Sequence, residues 1–503
     1  MTRRPPLLVT ILLLLAGLAC TRGNNGLFTT ANITPIGEVL PTITPRPLPT
    51  RATPQPSRTP GPAPTLAPLA PGDTIFYWVK AGDTLPDLAT RFGLTVGDIT
   101  RLNAISPDVQ LQPDQVLLIP ARFAQIGPNL GLIPDSELVY GPAAAGFDIA
   151  EFVAQQGGYL ARHREFVASA TRTGPELVQW IADRHSVNPR LLLALIEHQA
   201  GWVTNPNPPA DLIYPLGYEY SGRQGFFSQL DWAADTLNLG YYGWRQGLLT
   251  TLVFPDATQL RLDPALNAGT VGIHFFYAQL YNDLQWAAII DTDGFITTYQ
   301  RLFGDPANRA YEPLLPAGLT QPTLQLPLQP NRRWLYSGGP HPAWQAGSPW
   351  AAIDFAPPSL TQGCVDSPEW VVAPADGLVV YSSDGIVMLD LDGDGFAQTG
   401  WVLFFLHIAT QDRVQVGDVL AQGDRIGHPS CEGGRATGTH VHFARKFNGE
   451  WIPAGGDLPF VLSGWTVVAD ERPYAGQLVK FNGQAIRACL TCGAEESGIW
   501  LDR

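Results

Sequence analysis

Gly438-Thr439-His440-Val441-His442-Phe443 is the stretch on which the reading of this chain turns. On a strand, residues two apart face the same side, so His440 and His442 are expected to point into one cleft. Alone, such a pair reads most often as two ordinary surface or core histidines. The upstream sequence changes that. His341, Asp354 and His407 precede the pair, and five of the nine histidines fall between 341 and 442. Two imidazoles with a distant histidine and aspartate supply what a catalytic zinc ion needs: three protein ligands, an open position for water, and spare groups for proton transfer.

The flanking motifs carry more. Gly338-Gly339-Pro340-His341, a Trp-rich loop and Ser348-Pro349-Trp350-Ala351-Ala352-Ile353-Asp354-Phe355 come first. Val372-Ala373-Pro374-Ala375-Asp376-Gly377, Phe404-Phe405-Leu406-His407, Val416-Gly417-Asp418 and Gly423-Asp424-Arg425-Ile426-Gly427 follow, and Cys431 to Phe443 closes the series. In this order the motifs resemble the β-lytic, lysostaphin-like zinc metallopeptidases over residues 329–475. The resemblance implies a mainly antiparallel β domain in which His341, Asp354 and His442 bind zinc. His407 and His440 would be the unliganded pair that positions water, accepts its proton and stabilises the oxyanion. Trp350 stands where many members place the first histidine, and His341 lies further upstream, as in the β-lytic variant. Thr439 replaces the usual proline and touches only loop geometry. Zinc so held lowers the pKa of its water to ~7 and polarises a carbonyl, and a neutral histidine can carry the proton to the leaving amine. Amide hydrolysis without a covalent intermediate follows.

At 503 residues the chain exceeds what one core organises, so several domains are expected. Its 46 prolines and 51 glycines, with only 15% charged residues, point to long loop-rich or unstructured stretches. A net charge of −14 argues against a nucleic-acid partner and against a basic membrane-binding patch. The fourteen tryptophans would suit sugar-stacking surfaces, though the core is the expected place for most.

Residues 1–20 read as an export signal: Arg3 and Arg4, a short apolar stretch from Leu7 to Leu18, then Ala19-Cys20. The pattern resembles a bacterial lipoprotein signal and implies lipidation at Cys20, although Gly17 stands where leucine is preferred. Plain secretion is the alternative. Residues 21–73 form a Pro/Thr-rich linker with a polyproline tether inside it. Residues 74–120 resemble a LysM module, carried by Tyr77-Trp78-Val79-Lys80-Ala81-Gly82-Asp83-Thr84-Leu85, Phe92-Gly93-Leu94-Thr95, Leu102-Asn103 and Leu117-Leu118-Ile119-Pro120. That resemblance implies a small βααβ fold binding N-acetylglucosamine glycans between two loops, Gly82-Asp83-Thr84 and Asn103 to Asp108.

A second linker is expected over 121–144 and an α-helical domain over 145–328, where apolar spacing predicts helices at Pro175–His185, Pro189–Gly201 and Gly269–Leu284. Asn188 to Trp202 resembles the catalytic helix of lytic transglycosylases, implying a lysozyme-like domain. The acid's position is held by Gln199, which cannot protonate a glycosidic oxygen. The implied role is glycan binding or spacing, with cleavage through Glu197 as the alternative. Residues 476–503 read as a C-terminal tail.

Apart from Cys20, Cys364, Cys431, Cys489 and Cys492 make an even count that in an exported chain suggests two disulfides. The resemblance places a bridge at Cys431, with Cys364 off the usual partner position, and Cys489 with Cys492 would make a local one. Asp390-Leu391-Asp392-Gly393-Asp394-Gly395 has calcium-loop spacing, but Trp401 stands at the twelfth position, so a hairpin turn is expected. Taken together, the resemblances imply an exported, lipid-anchored, cell-envelope zinc endopeptidase with peptidoglycan as glycan partner and peptide substrate. A non-catalytic LysM lipoprotein that regulates other cell-wall hydrolases is the alternative, and the complete ligand set favours the enzyme.

Overall fold

Four elements come first among the described residues, in the expected order: β1 (Thr74–Trp78), α1 (Leu85–Arg91), α2 (Val96–Asn103) and β2 (Val116–Pro120), with β1 and β2 antiparallel. Thr84 caps α1 by accepting from Asp87 N, and Thr95 with Asp98 closes a capping box on α2. Leu88, Phe92, Ile99 and Ile119 fill the small core. The computed structural model describes residues 74–120, 126–209, 212–358, 363–489 and 494–501. The expected signal, Cys20, the tether and Cys492 lie outside them. Among the described residues no helix is long and apolar enough to cross a membrane.

The helical region holds α3 (Ile149–Gln156), a hairpin of β3 (Arg164–Val167) and β4 (Ala170–Thr173), α4 (Gly174–His185), α5 (Pro189–Ala200) and α6 (Phe226–Arg245). A second hairpin, β5 (Thr251–Val253) and β6 (Gln259–Arg261), leads to α7 (Ala268–Ala278), α8 (Asp283–Ile289) and α9 (Phe295–Phe303). Leu191 to Ile196 are fully buried, so α5 is apolar all round and runs through the core. α6 and α7 meet at glycines: a Cβ on Gly240 would lie 2.8 Å from the Gly272 Cα, a separation no other residue allows. The expected linker over 121–144 is corrected here. Leu132, Leu138, Val139 and Ala144 are buried in the helical core, because they cover faces of α5 and α7 that would otherwise meet water.

Beyond it come β7 (Trp334–His341), β8 (Ala352–Ala356), β9 (Val371–Val372), β10 (Gly377–Ser383), β11 (Ile386–Asp390) and β12 (Trp401–Leu406). Then follow β13 (Val419–Leu420), β14 (Arg425–Gly427), β15 (Val441–Phe447) and β16 (Glu450–Trp451). The main sheet is antiparallel, in the order β13-β10-β11-β12-β15-β8-β7, as expected. Its middle strands are apolar on both faces. Val402, Phe404 and Leu406 of β12 join the helical core, whereas Leu403 and Phe405 face a second core on the other side. Period-two alternation therefore assigns neighbouring residues to different layers.

That second core is covered by β17 (Val461–Leu462), β18 (Trp465–Ala469), β19 (Gly476–Lys480) and β20 (Ala485–Arg487), a four-stranded sheet. β21 (Gly498–Ile499) pairs with β7 at the edge of the main sheet. Residues 476–489 and 498–499 are thus built into the β domain, which corrects the expected tail: Leu478, Ile486 and Ile499 bury apolar side chains there. Asp390 to Gly395 form the expected turn between β11 and β12. Cys364 and Cys431 are disulfide-bonded with Cα atoms 5.6 Å apart. Cys489 is also disulfide-bonded.

Candidate metal centre

Strand register brings the chemical residues together. His442, second in β15, lies directly across from Asp354 in β8 and from Leu406 at the end of β12, which puts His407 one step beyond. Gly338 of β7 also faces Asp354, and His341 ends the same strand. A Cβ on Gly338 would sit 2.6 Å from Asp354 Oδ2, so only glycine lets the carboxylate turn inward. His407 adopts a left-handed backbone (φ +67°), strained for a residue with a Cβ. Ser430 holds it there, donating to the His407 carbonyl from its N–H at 2.7 Å and its hydroxyl at 3.1 Å.

Each imidazole is tied to a backbone carbonyl by its outer nitrogen. His341 Nδ1 donates to Gly339 O at 2.8 Å, and His442 Nε2 donates to Ala343 O at 2.8 Å. His407 Nδ1 donates to Glu432 O and His440 Nδ1 to Gly438 O, each at 2.8 Å. A carbonyl can only accept, so these bonds fix the tautomers and leave the inner nitrogens with lone pairs. His341 Nε2 is 2.9 Å from His442 Nδ1, and both lie 3.3 Å from Asp354 Oδ1. His440 Nε2 is further out, 3.7 Å from the same oxygen.

Three lone-pair atoms therefore converge with no donor between them. Asp354 Oδ1 is buried without a hydrogen-bond partner. Tetrahedral zinc with ~2.0–2.1 Å bonds spaces its ligands ~3.3 Å apart, close to what is found here. His341, Asp354 and His442 fit that ion, and their outer bonds to carbonyls are the support that metal-bound histidines generally need. Burial opposes charge on Asp354, but His341, His442 and His440 outweigh it and hold the carboxyl well below its usual range. Burial lowers His442, whereas at His341 the Asp354 carboxylate overcomes burial and raises it. His407 is pushed down to about 3, by burial first and then by His440 and His442, so it stays neutral. Its ring centroid lies 4.5 Å from that of His440.

All five expected positions meet in this cleft, and Trp350 stays out of the ligand cluster. Sequence reasoning missed two supports. Tyr474 stacks on His341 with centroids 4.1 Å apart and an interplanar angle of 18°. The loop between β7 and β8, which supplies the Ala343 carbonyl, is held by α6: Gln345 Nε2 donates to Asp231 Oδ1 and Gly347 N to Asp235 Oδ1, each at 2.7 Å. Single aspartates on a helix and a tyrosine outside any motif give no sequence signal.

The expected glycan contacts fare differently. Asp83 accepts from Tyr77 OH, Lys80 N and Arg91 Nη1, and Thr84 is spent on capping α1. Asn103 donates to Ile99 O and Leu118 O and accepts from Leu118 N, which pins α2 to β2. The Asn103 side chain therefore belongs to the fold rather than to a ligand. Gly82 remains on a cavity wall, opposite Gln110 to Pro113 rather than the expected Asn103 to Asp108.

Residues 131–317 match the family model described as LasA, N-terminal domain, and residues 77–120 match the LysM domain. Protease LasA of Pseudomonas aeruginosa is 26% identical over 357 residues, covering 65% of this chain and 77% of that protein. The same protein from a second strain is 27% identical over an equal span. Among solved structures, the M23 metalloprotease pseudoalterin is 22% identical, with a TM-score of 0.28, over 34% of this chain and 96% of its own. The lysostaphin catalytic domain of Staphylococcus simulans is 24% identical, with a TM-score of 0.18, over 25% and 90%. The chain thus carries a LysM domain and is homologous to LasA.

Proposed function

We propose that this protein is a zinc endopeptidase that hydrolyses peptide crosslinks of peptidoglycan. The observation that carries the reading is the convergence of His341 Nε2, His442 Nδ1 and Asp354 Oδ1 within 3.3 Å, with no hydrogen-bond donor among them. Homology to Protease LasA supports it, and the LysM domain supports the wall as substrate. When bound, zinc would supply Lewis acidity to the scissile carbonyl and to a water molecule. His407, kept neutral by burial, presents a free Nε2 to take the water proton and pass it to the leaving amine. His440 lies beside it in the same cleft, in the role of oxyanion stabiliser.

The helical region acts in this reading as a support and not as a glycan-cleaving enzyme. Glu197 is buried and accepts from Val203 N, Thr204 N, Thr204 Oγ1 and Arg301 Nη2, so its carboxylate is fully engaged. Gln199 donates to Leu216 O and accepts from Tyr281 OH. Neither side chain is free to protonate a leaving group. The signal-like N-terminus supports export, with Cys20 as the lipid attachment point.

The test is digestion of purified peptidoglycan by the chain starting after Cys20, with fragments read by mass spectrometry. New peptide termini are expected, absent with a zinc chelator and absent with His442→Ala. Anhydro-sugar ends would mean that the helical region cleaves glycan, and intact peptidoglycan would remove the endopeptidase reading.

A further inference from the structure

The LysM module is not a free tether. Arg245, at the end of α6, donates to the Ala81 carbonyl beside Gly82 and forms a 2.7 Å ion pair with Glu450 next to β15. A Cβ on Gly82 would collide with the Arg245 guanidinium, so this docking depends on glycine at the first LysM loop. From the other side, Arg91 donates to Trp244 O at 3.2 Å and Arg261 to Arg91 O at 2.7 Å. One largely buried arginine, Arg245, thus joins the LysM module, the helical region and the β domain.

Above that ion pair lies a cavity of about 550 Å³. Gly82 to Thr84, Asp87 and Gln110 to Pro113 of the LysM module form one wall. Leu248 of the helical region stands on a second, and Trp350 with Asp457 of the β domain on a third. Its lining is more apolar than polar, with a few acceptors at the edge, which is the make-up of a small-ligand site. Asp87 of the LysM module and Asp457 are near enough that Asp457 adds to the upward shift that burial gives Asp87. Pro340, beside the zinc ligand His341, and Trp350, in the loop leading to Asp354, line the same space.

We propose that this cavity is a composite saccharide site, binding a short stretch of 2-acetamido sugar polymer in contact with all three parts. The inference rests on the glycan-binding reading of the LysM module and goes beyond it by placing helical and β-domain residues in the site. Trp350 brings an aromatic side chain to the wall, able to pack on sugar C–H groups, and Asp87 and Asp457 accept from hydroxyls and amides. A strand held there carries its attached peptide next to the loop that joins the ligand-bearing strands β7 and β8. Glycan grip and peptide cleavage then act on the same piece of wall.

The test uses the chain starting after Cys20 and an N-acetylglucosamine pentamer, with affinity measured by calorimetry. Leu248→Asp and Asp457→Ala alter exposed positions outside the LysM module. Each is expected to weaken pentamer binding about tenfold while leaving hydrolysis of a sugar-free crosslink peptide unchanged. Wild-type affinity in both variants would overturn the composite site while leaving LysM glycan binding in place. No pentamer binding by the unmodified chain would overturn the glycan reading itself, and the composite site with it.

Discussion

Two histidines in this cleft should fail in different ways. In the proposed site His442 Nδ1 offers its lone pair to the metal, and removing it is expected to empty the site. His407 Nε2 is not in the ligand cluster, so His407→Ala should keep zinc and lose about 10²–10⁴-fold in peptide hydrolysis, the usual worth of a positioned acid–base. Metal content measured beside turnover separates them, and loss of zinc from His407→Ala would make it a ligand instead. The residues that gather in the cleft were legible in the sequence, because histidine and aspartate carry their identity in the side chain and recur in a fixed order of motifs. Their supports were not. Gly339, Ala343, Glu432 and Gly438 act through backbone carbonyls, which every residue has, and Tyr474 reaches His341 only because the chain turns back at the edge of β7.

At the scale of elements, β11 and β12 show what an apolar run does and does not say. Trp401-Val402-Leu403-Phe404-Phe405-Leu406 is a continuous apolar run that forms a strand buried on both faces. Nothing in it names the layers that cover it. The end of β11, where the chain enters the turn to β12, yields a test of its electrostatics. Asp390 is fully buried and its carboxyl is pushed up to about 7, by burial first, with Asp392 raising it further and the Gly395 amide opposing. A folded pKa above the unfolded value of ~3.9 means that the folded chain keeps a proton the unfolded chain has lost. The stabilisation is complete below that unfolded value and is lost as pH rises through 7. Thermal midpoints between pH 5 and 8 should therefore fall more steeply in the wild type than in Asp390→Asn. Equal slopes would place the charge in solvent.

For the whole molecule, the helical region and the β domain share one core. Ile386, Met388, Phe404, Ala444 and Trp451 of the β domain pack with the helices, and Trp451 N donates to Tyr242 OH at 3.0 Å. The domain limits read from sequence went astray for this reason: a core assembled from residues hundreds of positions apart leaves no local mark, so 121–144 and 476–503 looked detachable. The two regions should unfold in one calorimetric transition. Trp451→Ala is expected to lower stability by about 3–5 kcal/mol and to move that transition as a unit. Two separate transitions, only one of them moved, would mean that the contact is weak.

The measurement that tests the centre most directly is metal content together with zinc X-ray absorption on the chain starting after Cys20. The account predicts one zinc per chain, a first shell of nitrogen and oxygen only at ~2.0–2.1 Å, and no zinc in Asp354→Ala. A sulfur-containing shell, or full zinc occupancy in Asp354→Ala, would contradict it.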